Sequence, residues 1–342
     1  MRFSRLKTIA LPTLAFAITA LALLPSALSL PQHGDEKMYL WKADYYGGRI
    51  ARLDFSQGTD TYLDPGFSPG SFWAIEQPMG SHLIYAAILR LAGAEPPSLQ
   101  EPVIEAPTSA RATRIWLPIT EIPPSTLRIT RSAAVLCAAT GAALLSLHFS
   151  WAGAVAILLL LLIPHARADL ARAWAEGPLL LGFGLCAVSY GSRWFAPVAG
   201  IAATLKLTVL GLWPLVFWRG FGKSRFAHTL AVGVAAVVWS VLTPPSWFMG
   251  GPLYLAIQVI YRFNVYASQS ADVGGPGGFF IQTRYLWPLE LGLLILFSHL
   301  VIEHLPTLLE VAWHLYKRGR RVLTKGRFGD RVNYHAHDNH KH

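Results

Sequence analysis

The sequence predicts an all-α polytopic membrane protein of about eight spans, some of them short against the ~20 apolar residues that a full crossing needs. Hydrophobic residues make up 53% of the chain and charged residues only 14%. A soluble domain carries roughly 25% charged residues, so this chain has too few to clothe a globular surface. Basic residues sit at the ends of apolar runs: Arg2, Arg5 and Lys7, then Arg219, Lys223 and Arg225, then Lys317, Arg318, Arg320 and Arg321. That is the positive-inside pattern. It accounts for the formal net charge of +10 and leaves nucleic acid without support as a partner. Cys137 and Cys186 both lie inside apolar runs, which suggests neither a disulfide framework nor a zinc site.

The first run, residues 8–30, follows a basic start and contains the small-residue stretch Pro25-Ser26-Ala27-Leu28-Ser29. It is longer than the h-region of about 7–15 residues in a cleaved signal peptide, so 1–30 reads as a retained signal-anchor span. Runs 130–149 and 151–164 abut and predict a tight hairpin, followed by 178–190. Run 195–217 is interrupted by Lys206. A lysine at the centre of a span costs several kcal/mol unless it reaches water or a partner. This run therefore reads as two short helices meeting near the outer surface, with Lys206 at the turn. Runs 226–242 and 285–302 complete the set and put both termini on the cytoplasmic side of the cell inner membrane.

The chain then divides into the anchor 1–30, a first outer loop 31–127, a membrane core 128–302 with a second outer loop 243–284, and a basic cytoplasmic tail 303–342. Residues 165–176 form a short outer connection. Within the first loop, 94–124 is rich in Pro and Glu and reads as an irregular insert. The tail ends in a His-rich stretch, His335 to His342, for which a disordered end and metal binding are the two readings.

Two outer-face acidic positions stand out. Asp35-Glu36 follows the first span, with Tyr39, Trp41, Tyr45 and Tyr46 after it. Glu76, in Ala74-Ile75-Glu76-Gln77-Pro78-Met79-Gly80, precedes the apolar stretch 82–91, which is too short to span and suits the membrane interface. Loops at the lipid boundary are where a lipid-borne substrate meets a water-soluble or protein acceptor.

Asp35-Glu36 with Tyr39 after a first span resembles the opening signature of polyprenyl-phosphate-sugar-dependent glycosyltransferases of the GT-C fold, which include the protein O-mannosyltransferases and the bacterial lipid A aminoarabinose transferase. Glu76-Gln77-Pro78-Met79 before 82–91 is similar to that family's Glu-x-Pro-Pro stretch and interfacial helix, with Met79 in place of the second proline. Leu127-Arg128-Ile129-Thr130 is similar to its Arg-Leu-Pro-Ser. Ala175-Glu176-Gly177-Pro178-Leu179-Leu180 holds the place of its acid before a Leu-rich helix. Gly200-Ile201-Ala202-Ala203-Thr204-Leu205-Lys206 resembles its Gly-Leu-Ala-x-x-x-Lys, and Pro252-Leu253-Tyr254 its Pro-Trp-Tyr. The resemblance covers about residues 1–302. Larger members continue with further spans and an outer domain, so it implies either a reduced core or acceptor recognition supplied by a partner subunit.

The resemblance implies a membrane transferase moving a sugar from a polyprenyl-phosphate donor to a glycan, lipid or protein acceptor. The acceptor hydroxyl must lose its proton as it attacks the anomeric carbon, and Asp35 is the natural general base. Direct displacement inverts that centre without a second nucleophile. Glu76 would orient the acceptor or help hold a divalent cation, for which oxygen ligands suit Mg²⁺ or Mn²⁺. Lys206, Arg172 and Arg262 are candidates to stabilise the leaving phosphate, with Glu36, Glu176 and Tyr39 as further substrate contacts. Each residue has a plainer reading. Glu36 suits backbone hydrogen bonding, Glu176 a helix N-terminal charge, Lys206 a snorkelling side chain, and Arg172 and Arg262 headgroup contacts. The rival for the whole chain is a non-catalytic subunit of this fold in a larger membrane complex. A transporter fits less well, for there is no two-fold repeat and no acid at mid-bilayer.

Overall fold

The structure is a computed structural model that describes residues 2–53, 79–98, 103–104, 115–116, 120–206, 225–243, 253 and 287–335. The described chain is almost entirely helical. It forms two compact units, Met1–Ile295 and Leu296–His342.

Helix α1 (Arg2–Ser29) and helix α4 (Pro124–Phe149) are long and apolar enough to cross a membrane. The 26 residues of α4 rise about 39 Å against a hydrocarbon core of ~30 Å. Between them lie α2 (Gly34–Ala51) and α3 (Gly80–Ala92). The region after the first span is thus a helix almost from its start. The stretch expected to lie along the interface is α3. It buries Ser81, His82, Tyr85, Ala86 and Leu89 and leaves Leu91 exposed, so one face packs inward, chiefly against α2. The Pro/Glu-rich insert contains a two-residue antiparallel ladder, Val103–Ile104 with Ile115–Trp116. Helix α4 begins before residue 128, at Pro124, because proline's fixed φ suits the first helical position and its missing N–H costs nothing there.

Helix α5 (Trp151–Leu162) follows α4 through Ser150 at φ +54, which makes the expected hairpin. Helix α6 (Pro164–Ala171) then turns away by 96°. The cause is local: Pro164 disfavours helical backbone at Ile163, which is extended with ψ 114. Together α5 and α6 count as a third candidate span only if the bent pair crosses as one.

Helices α7 (Glu176–Ser189), α8 (Phe195–Leu205) and α9 (Arg225–Val241) are shorter and apolar. Helix α8 stops just before Lys206, whose backbone is extended. The partner helix expected after that turn lies outside the described residues. Helix α4 is the hub, packed most extensively on α1 and α7. The α4–α7 seam is built on glycine. A Cβ on Gly141 would lie 2.3 Å from the Leu180 carbonyl oxygen, and one on Gly177 would lie 2.5 Å from that of Ala134. The two backbones thus pack in direct contact, the approach that small residues allow between helices. Ala138, Ala142, Leu145, Leu160, Leu180, Ala202 and Trp239 fill the surrounding core.

Helix α10 (Trp287–His335) contains the last apolar run and continues through most of the tail. The basic tail is therefore helical over 303–335; the His-rich end from 336 lies outside the described residues. In the second unit Leu305, Leu309, Trp313 and Tyr316 are exposed, with Trp313 stacked on Tyr316 and the Lys317 ammonium 5.0 Å from the Trp313 ring centre.

Candidate functional site

The N-terminus of α2 organises the polar end of the first unit. The His33 carbonyl accepts the N–H of Glu36, and the Glu36 carboxylate turns back to accept the N–H of His33 at 3.0 Å. This is the acid half of a capping box and satisfies a donor that the helix itself cannot. Glu36 Oε1 also accepts Arg131 Nε–H at 2.8 Å and the Ala173 N–H at 2.9 Å, and Oε2 accepts Arg131 Nη2–H at 2.7 Å. Both side chains are buried.

Arg131, on α4, is satisfied to the last proton. Besides the two bonds to Glu36, Nη1 donates to the carbonyls of Ala27 (2.9 Å) and Leu30 (2.7 Å), and Nη2 donates to Pro31 (3.0 Å). Those five bonds use the five N–H groups of a guanidinium. Ala27 belongs to the last turn of α1, whose carbonyls have no helical partner. The Arg131–Glu36 pair thus ties the end of α1, the start of α2, α4 and the loop between α6 and α7.

Asp35 has the opposite environment. Its side chain is 31% exposed, its N–H donates to His33 Nδ1 at 3.1 Å, and its Oδ2 lies 3.9 Å from the same nitrogen. The His33 ring meets the Trp174 ring edge-on at 5.4 Å, and the Arg172 guanidinium lies 5.1 Å from that indole. Arg172 is half-buried, with no hydrogen bond to its Nε among the described residues. Trp174 is fixed from two sides, since its indole N–H donates to the Asp169 carbonyl and its own carbonyl accepts the Tyr85 hydroxyl at 2.7 Å. Burial above all holds the Tyr85 phenol well above its usual pKa, so it remains a donor.

Glu176 opens α7, and its carboxylate accepts the ammonium proton of Lys206 at the end of α8. Two residues singled out separately in the sequence therefore meet each other, both largely buried. The start of α3 closes the same corner: a Cβ on Gly80 would fall 2.3 Å from Thr204 Oγ1. Tyr39 lies on α2, its ring 4.5 Å from that of His82. The His82 Nδ1–H donates to the Tyr39 carbonyl at 3.2 Å, which leaves Nε2 as the acceptor nitrogen, buried and without a partner among the described residues. Burial, then the charge of buried Lys42, push the His82 pKa well below the usual value, so the ring is neutral.

Asp35, Glu36, Tyr39 and Arg172 thus share one polar end of the unit with the Glu176–Lys206 pair. Glu76 and Arg262 lie outside the described residues. Among the described residues no group of three or more His, Cys, Asp or Glu is placed to hold a metal ion. Sequence reasoning missed Arg131 and His82. For Arg131 a signal existed: it is a charge inside the apolar run 130–149, and such a charge needs a partner. His82 carried none, because a lone histidine opening an apolar stretch is ordinary. Comparison with family models, curated proteins and solved structures finds no match to this chain.

Proposed function

We propose that the chain is an integral membrane glycosyltransferase of the GT-C type. It moves a sugar from a polyprenyl-phosphate donor to an acceptor hydroxyl at the outer face of the cell inner membrane. One observation carries the reading: the adjacent acids differ in environment, Glu36 buried against Arg131 and two backbone N–H groups and Asp35 partly exposed beside His33. A carboxylate pinned beside solvent on a rigid base is what a general base requires. In the reaction the acceptor oxygen bonds to the anomeric carbon and its proton passes to the Asp35 carboxylate. The bond from that carbon to the phosphate oxygen breaks, and polyprenyl phosphate leaves. Arg172, in contact with the same Trp174, would offset the charge that develops on the leaving group. Lys206 would add less, because Glu176 compensates its charge.

About eight spans with both termini cytoplasmic, the acceptor class and the roles of Glu76 and Arg262 belong to the same proposal. The test is Asp35→Asn. It is expected to abolish the sugar-modified glycan or glycolipid products that mass analysis finds in cells with the wild-type chain, at equal protein level and thermal stability. Unchanged products would remove the catalytic claim. A second reading, a non-catalytic subunit of a larger membrane complex, draws on the internal pairing of Glu36 with Arg131 and Glu176 with Lys206. It predicts stable co-purification with partners and products indifferent to Asp35.

A further inference from the structure

A cleft of about 390 Å³ opens in the first unit, far from the polar cluster. It lies between the C-terminal turns of α4 and α7 and the first turns of α8 and α10. His148 on its wall lies about 26 Å further along α4 than Arg131, at ~1.5 Å per residue. Leu145, Phe183, Phe195, Ala199, Leu291 and Ile295 make the walls almost wholly apolar. Polar character comes from the Cys186 thiol and from His148 and Tyr190, whose rings meet edge-on at 6.1 Å.

The rim shows what medium the cleft faces. Phe149, Trp151, Tyr190 and Trp194 are all well exposed at these helix ends, as an aromatic belt at a membrane–water boundary requires. The Arg193 guanidinium lies 5.4 Å from the Trp194 ring centre and brings positive charge to the same level. An apolar cleft in the wall of a spanning helix, with a cation and a phenol at its aromatic edge, is complementary to an amphiphile with an anionic head. We propose that the cleft holds one acyl chain of an anionic membrane phospholipid, its headgroup at the level of Tyr190 and Arg193. The proposal needs only that α4 crosses the membrane and is independent of sugar transfer.

Gly292 supplies the test. It lines the cleft, and a Cβ built on it meets nothing within 4 Å. Gly292→Leu therefore fills the space without a backbone clash, and it improves helix propensity. The full-length chain, purified in detergent and stripped of lipid, would be titrated with phosphatidylglycerol and with phosphatidylcholine under native mass spectrometry. Expected is one tightly held phosphatidylglycerol, with affinity falling roughly tenfold or more in Gly292→Leu and its preference over phosphatidylcholine lost in Arg193→Gln. Ile295→Trp blocks the same cleft from the same helix and should behave like Gly292→Leu. Equal lipid binding by wild type and both filled variants would overturn the proposal. So would a dimer that both filled variants abolish, because the cleft would then receive a second copy of the chain.

Discussion

Replacing Glu36 with glutamine tests whether the buried pair is the keystone of the polar end. The amide oxygen, placed where Oε1 lies, still accepts from Arg131 Nε and Ala173 N. The amide nitrogen then faces the N–H of His33 and Arg131 Nη2–H, donor against donor. Two hydrogen bonds are lost and a buried guanidinium loses its counter-charge. Breaking one side of a buried pair costs about 3–5 kcal/mol. At about 2 °C per kcal/mol, the lower end of the range for larger domains, the unfolding midpoint should fall by roughly 6–10 °C.

The assay is intrinsic fluorescence during thermal unfolding of the full chain in detergent, where its 12 tryptophans give ample signal. A double variant, Glu36→Met with Arg131→Met, sharpens it. Neither charge of this pair is then left buried and unpaired, so stability should partly recover. It should not recover fully, because the carbonyls of Ala27, Leu30 and Pro31 lose their donor, at about 1 kcal/mol net apiece. A Glu36→Gln midpoint within about 1 °C of wild type, far short of the 3–5 kcal/mol expected, would refute the reasoning. Simple additivity of the two Met substitutions would refute it too.

The glycine seam makes a second prediction. Gly141→Ala puts a methyl 2.3 Å from the Leu180 carbonyl oxygen and should cost roughly 1–3 kcal/mol by forcing α4 from α7, while Gly233→Ala, open around its Cβ, should be neutral or stabilising in the same melt. A third concerns pH. Because the folded-state pKa of His82 lies below its unfolded value of about 6.5, the unfolded chain binds the extra proton as pH falls below 6.5. The stability from keeping His82 neutral is complete above that pH and is lost on acidification toward the folded pKa. The loss reaches at most about 1.4 kcal/mol per pH unit; unfolding midpoints measured from pH 7 down to pH 5 should decline less steeply in His82→Gln than in wild type.

Helices α1 and α4, long and apolar enough to cross a membrane, were legible because run length and charge placement are one-dimensional signals, and the stop before Lys206 because a mid-span lysine is too costly. The two-helix hairpin around Ser150 followed from abutting runs. The content of the polar end did not follow, since it depends on which residues meet across long sequence separations. Nothing local in Arg131 says that it reaches Ala27, Pro31 and Glu36, and nothing in Glu176 says that its partner is Lys206. The helix through the basic tail rests on Leu305, Leu309, Trp313 and Tyr316, which recur at helical spacing and carry α10 on into it.

The same cross-chain pairing bears on chemistry. An exposed Asp-Glu pair would be two mutually repelling anions on a mobile turn, able to trade roles. Here Arg131 neutralises one member and three helices hold it, so the neighbouring carboxylate on the same helical turn inherits a fixed position without sharing the charge. Positioning of that kind costs stability unless every buried group is satisfied, and Glu36 and Arg131 are. A purely structural pair would make no demand on Asp35, whereas a pair that serves a base would. Glu36→Gln and Asp35→Asn should then part company: the first lowers the melting point and disturbs everything built on α2, and the second, on the proposed function, abolishes sugar transfer with a smaller effect on the melt.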